Sequence, residues 1–164
     1  MKIRQLILSA AALLLAAPAV IAGEMLTVTK EAVINTDAKT LWATVGGFGT
    51  IHTWHPGVAS TALTGDGMTV GDQRELTLGD GAKVYETLEA LDDAKMALTY
   101  TITESPLPVA DYHSTISVSP AGDGKANFKW TSTFEAVGAP ADDAMGAVGG
   151  IYQGGIDALN AKFK

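Results

Sequence analysis

Arg74 and Glu86 are charged residues standing in stretches that otherwise alternate apolar and polar side chains, in a chain of 164 residues. If Asp80 in Gly79-Asp80-Gly81 is the centre of a tight hairpin, Leu76 faces Val84 and Arg74 faces Glu86. A carboxylate moved into an apolar interior costs several kcal/mol unless it is paired. An Arg74–Glu86 ion pair is therefore expected on the inward face, with Tyr100 or Tyr112 nearby. Such a pair fits two roles, the polar anchor of a ligand cavity or a buried salt bridge that fixes strand register. As a general base Glu86 would need burial to raise its pKa, whereas pairing with Arg74 would lower it, so catalysis by this carboxylate is disfavoured.

The remaining chemical candidates are weaker. His52 and His55 lie one helical turn apart and could offer two metal ligands, but no carboxylate stands at ligand spacing beside them and two ligands do not close a site. They read as solvated or capping histidines, and His113 points outward by strand parity. Gly65-Asp66-Gly67 and Gly122-Asp123-Gly124 are turns without the Lys-Ser/Thr of a phosphate loop. No Gly-x-Ser-x-Gly elbow occurs. With no cysteine, disulfides, thiolate metal sites, a Cys nucleophile and a covalently attached c-type haem are all excluded. No cofactor and no metal are expected.

The elements that would position these residues follow from pattern. Met25 to Ile34 reads as a first strand. Asn35-Thr36-Asp37 starts a short helix over 38–45, and Phe48 to Trp54 forms a second short helical stretch stopped by Pro56. Strands follow over 58–63, 74–78, 83–91, 95–103, 110–118 and 126–137. The last segment is helical after an N-cap at Asp142, with Met145, Val148, Tyr152, Ile156, Leu159 and Phe163 on one apolar face. Its five glycines, 146, 149, 150, 154 and 155, suit a backbone that lies close to a sheet or ligand, or else a frayed first half. This order is α+β, and one long helix gripped by a curved antiparallel sheet is the helix-grip arrangement. Side chains alternate across a strand, so the even residues of the last four strands should face inward, among them Glu86, Leu88, Ala90, Tyr100, Tyr112, Ser114 and Trp130.

Residues 1–22 read as a signal peptide. Lys2 and Arg4 precede the apolar run Leu6 to Ala17, Pro18 breaks it, and Val20-Ile21-Ala22 suits cleavage after Ala22. The run is short for a spanning helix, so export to the periplasm without stable membrane insertion is expected, leaving one domain over 23–164. Loss of Lys2 and Arg4 takes the net charge from −7 to −9. Such acidity argues against nucleic acid and would attract a basic protein partner.

Several segments resemble the SRPBCC superfamily, which includes START, Bet v 1, polyketide cyclases and plant abscisic-acid receptors. They are Phe48 to Pro56, Tyr85 to Asp93, Pro106-Leu107-Pro108, Asp111 to Ser114 and the Trp130 strand. The resemblance implies a cavity in which Glu86, Tyr112 and Ser114 contact ligand. The position of Trp130 is acidic in the receptor branch, and an indole there implies a smaller, drier pocket. With Arg74, Leu88, Tyr100 and Tyr152, these residues make up the expected cavity set. The signal peptide, Trp54-His55-Pro56 and Gly150 to Ile156 look more narrowly like MxaD-like exported proteins. That likeness implies an accessory role beside periplasmic methanol dehydrogenase and its cytochrome c. A carrier or sensor of a hydrophobic molecule and a cyclase-type enzyme are the alternatives.

Overall fold

The computed structural model describes residues 23–164, and the stretch 1–22 expected to be a signal peptide lies outside them. Seven strands run through it: β1 Met25–Ile34, β2 Val58–Thr64, β3 Gln73–Leu78, β4 Lys83–Asp92, β5 Ala97–Glu104, β6 Val109–Gly122 and β7 Lys125–Ala136. They form one antiparallel sheet in the order β1-β7-β6-β5-β4-β3-β2. Helix α1, Ala38–Val45, and a single 3-10 turn, Ile51–Thr53, fill the link between β1 and β2. Helix α2, Ala141–Lys162, closes the chain and packs its Ala144–Val148–Tyr152–Ile156–Leu159 face onto the core. This is the expected α+β helix-grip fold, a curved sheet holding one long helix.

Local chemistry explains the boundaries. Asp37 caps α1, accepting from the Thr40 amide at 3.0 Å and the Thr40 hydroxyl at 2.7 Å. The stretch expected as a second helix shrinks to the 3-10 turn, because Trp54 leaves helical geometry just before Pro56. The N-cap of α2 is Pro140 and not Asp142. Asp142 and Asp143 instead fall in the first turn and Lys162 in the last, each with the sign that the helix dipole favours. Among the described residues, no helix is long and apolar enough to cross a membrane.

The hairpin register is as expected, with Arg74 opposite Glu86 and Leu76 opposite Val84. Even residues face inward along β5 from Leu98 to Ile102, along β7, and along β6 from Tyr112 to Val118. In β4 this stops after Leu88. A bulge places Glu89 between the pairs Leu88–Tyr100 and Ala90–Thr99, so Ala90 turns out to solvent and Leu91 packs inward.

Helix α2 is continuous, so the glycines do not fray it. At Gly155 a Cβ would come within 3.0 Å of Trp54 and of His55, and within 3.1 Å of Trp130. Gly149 has ordinary contacts, and Gly146, Gly150 and Gly154 face open space. Close approach therefore accounts for one glycine of the five.

Candidate functional site

Between α2 and the sheet lies a cavity of about 250 Å³. Its buried polar and aromatic wall is built by Glu86 from β4, Tyr100 from β5, Tyr112 from β6, Trp130 from β7 and Tyr152 from α2. Leu76, Val84 and Val148 add apolar surface. Leu78, Ile102, Leu107 and Ile151 also line it yet stay partly exposed, which marks them as its mouth. The floor is thus polar at a few points and the mouth wholly apolar.

Arg74 and Glu86 are both buried, and Arg74 Nε donates to Glu86 Oε2 at 2.5 Å. Arg74 Nη1 donates to the Phe48 carbonyl at 2.5 Å. The guanidinium carbon lies 4.4 Å from the centre of the Phe48 ring and 4.8 Å from that of Tyr100, an arrangement that favours a weakly hydrated cation. Burial pushes the Glu86 carboxyl above its ordinary range, against the opposing charge and hydrogen bond of Arg74. Pairing alone would lower it, as expected from the sequence, but in so dry a place desolvation outweighs the partner.

A second polar cluster is uncharged. Ser114 Oγ donates to the Thr131 carbonyl at 3.1 Å and lies 3.1 Å from Tyr152 Oη. Its single hydrogen is committed to that carbonyl, so the Tyr152 hydroxyl donates to Ser114 and must accept from Tyr112. The Trp130 indole N–H is shared between Ser114 Oγ at 3.0 Å and Tyr100 Oη at 3.1 Å. The Trp130 ring stacks on Tyr152 at 4.3 Å between centroids. Burial, the largest cause for each, pushes the Tyr100, Tyr112 and Tyr152 phenols upward and keeps them protonated.

Of the expected cavity set, Glu86, Tyr100, Tyr112, Trp130 and Tyr152 reach the wall. Arg74, Leu88 and Ser114 stand behind it: Arg74 holds Glu86, Ser114 receives Tyr152, and Leu88 packs in the core. His55, read from sequence as solvated or capping, is 6% exposed and lines the cavity. Its Nδ1 accepts from the Gly57 amide at 3.1 Å, so the proton sits on Nε2, which donates to the Ile151 carbonyl at 2.9 Å. Desolvation lowers its pKa and keeps it neutral. It ties the 3-10 turn to α2, and with both nitrogens engaged it offers no metal ligand. His52 is exposed, 3.1 Å from the Thr61 hydroxyl, and His113 pairs with Glu89 at the surface. Among the described residues no three His, Asp or Glu side chains converge on a metal site.

Strand parity finds Leu76, Val84 and Ile102, and helical spacing finds Val148. No local pattern marks His55 or Leu107, whose directions depend on distant packing.

Residues 25–164 match the family model described as polyketide cyclase / dehydrase and lipid transport. Among solved structures, an uncharacterised protein from Bacillus thuringiensis is 32% identical with a TM-score of 0.79, covering 84% of this chain and 98% of its own. XoxI from Bacillus cereus is 31% identical, also with a TM-score of 0.79, over 84% of this chain and 94% of its own. A norcoclaurine synthase from Thalictrum flavum shares the fold at 18% identity and a TM-score of 0.64, over 87% and 96%. No curated protein matches the chain.

Proposed function

The chain belongs to the polyketide cyclase / dehydrase and lipid transport family, and from that premise we propose an exported, non-enzymatic binding protein of the periplasm. Its cavity takes a small apolar ligand, and the protein assists methanol oxidation where methanol dehydrogenase meets its cytochrome c, as MxaD-like proteins do. The observation that carries the binding role is the cavity itself, open through an apolar mouth and floored by neutral hydroxyls and a neutralised ion pair. Among the described residues of its wall, no nucleophile stands beside a free base. Export rests on the sequence of residues 1–22, and the accessory role on export, acidity and the Trp54-His55-Pro56 and Gly150 to Ile156 segments.

Native mass spectrometry of the protein from its own periplasm tests the cavity, which should carry a small molecule; persistent emptiness overturns that role. An N-terminus at Gly23 in the periplasmic fraction is the expected sign of export. Pull-down from the same fraction should recover a dehydrogenase or a cytochrome c, and recovery of neither removes the accessory role. The raised pKa of Glu86 favours one second reading, a cyclase-type enzyme with Glu86 as general base. It requires that Glu86→Gln abolish turnover of an aromatic or polyketide substrate.

A further inference from the structure

Hydrogen accounting in the cavity floor narrows the ligand. Ser114 donates to Thr131, Tyr152 donates to Ser114, and Tyr112 donates to Tyr152. Tyr100 accepts from Trp130, and among the described residues its phenol hydrogen has no acceptor at hydrogen-bond distance. Tyr112 has given its hydrogen away and keeps free lone pairs. One oxygen of Glu86 takes the Arg74 bond, and the carboxylate lines the same cavity. Glu86 is also the diagonal cross-strand neighbour of Tyr100, since Glu86 pairs with Ile102 and Leu88 with Tyr100. The floor therefore presents one donor, Tyr100 Oη–H, beside two acceptors, Tyr112 Oη and Glu86.

A group that accepts and donates at once satisfies this set, as a hydroxyl does. A carbonyl accepts from Tyr100 but leaves the acceptors unmet, and an ether does the same. Charge is disfavoured in either sign. Arg74 already neutralises Glu86, so an ion would enter a site of no net charge and lose its hydration. Size narrows the class further. An engineered cavity of about 150 Å³ in another protein holds one benzene, so about 250 Å³ here holds one ring with a substituent or two.

We infer that the cavity takes a compact, neutral, hydroxyl-bearing apolar molecule, an alcohol or phenol, with its hydroxyl held between Tyr100, Tyr112 and Glu86 and its apolar body toward Leu78, Ile102, Leu107 and Ile151. This rests on the ligand-binding reading above and adds the ligand's chemical class.

Calorimetric titration of the purified protein with a shape-matched series tests it: p-cresol, toluene, p-tolualdehyde, p-toluate and benzylammonium. One hydrogen-bonded group is worth about tenfold in affinity, so p-cresol should bind at least about tenfold tighter than toluene or p-tolualdehyde, with the two ions weakest. Tyr100→Phe keeps the ring beside Arg74 and leaves Trp130 its bond to Ser114. It should weaken p-cresol about tenfold by deleting the one bond from Tyr100 and leave toluene binding unchanged, which also shows that the cavity is intact. If toluene matches p-cresol, or Tyr100→Phe affects both alike, the hydroxyl assignment is overturned while ligand binding stands. Tightest binding of the aldehyde or of either ion overturns it too. Failure of every probe removes the ligand-binding reading and this inference together.

Discussion

The interior holds two polar clusters a strand apart, and they keep their groups satisfied in different ways. Arg74–Glu86 is charged and fixed by strand register, and leaves Arg74 Nη2 buried without a partner. The Tyr112–Tyr152–Ser114 chain is neutral, gathered from β6 and α2, and ends on the Thr131 carbonyl. Each ion of the pair depends on its one opposite number, because removing either strands a charge. The neutral chain is distributed, and losing one link strands at most a single hydroxyl hydrogen and no charge. Register alone is enough to build the first; the second forms only when the helix has docked.

The largest break in this comparison is Glu86→Leu. It strands the Arg74 charge and should cost about 3–5 kcal/mol in urea unfolding. Adding Arg74→Met should recover most of that, because the desolvation penalty vanishes with the charge. A double variant as unstable as the single one would mean that the pair's shape matters more than its charge. Gly155→Ala strikes the neutral side, pressing a methyl toward Trp54, His55 and Trp130. It should cost about 1–3 kcal/mol by overpacking, with Gly146→Ala, which faces open space, as the neutral or stabilising control. Tyr152→Phe breaks one link and strands the Tyr112 hydrogen, for about 1–2 kcal/mol. A loss as large as that of Glu86→Leu would mean that the neutral chain is no more tolerant than the ion pair.

The smallest effect is in pH. His55 is depressed below 6.5, so its stabilisation is present above that value and fades as pH falls through it toward the folded pKa. Glu86 is raised above 4.5, so stability is greatest below that value and declines as pH climbs through it toward the folded pKa. Unfolding followed across the acid range should show both slopes. Glu86→Leu should abolish the falling one and His55→Phe the rising one, and persistence of either slope in its variant assigns it to another group.

The order of elements was legible because strand and helix periods are local: the even residues of β7, the cap at Asp37 and the α2 face at Val148, Tyr152 and Ile156 all follow from spacing. The Arg74–Glu86 contact was legible for the same reason, since a two-sided turn at Asp80 fixes a register by counting. Ala90 escaped because a bulge adds one residue to one strand only, and its partner across the sheet, not its own sequence, decides that. Glu86's upward shift escaped because residue types reveal a partner but not the amount of water removed.

Sequence by itself determined which side chains share a face, since that depends only on backbone periods of two and 3.6 residues. Tertiary structure decided which faces meet. His55 reaching Ile151, Trp130 lying on Tyr152 and the hydroxyl chain crossing from sheet to helix join residues far apart in the chain. No local rule encodes that distance, because it arises from packing a whole helix into a bent sheet around the space that remains.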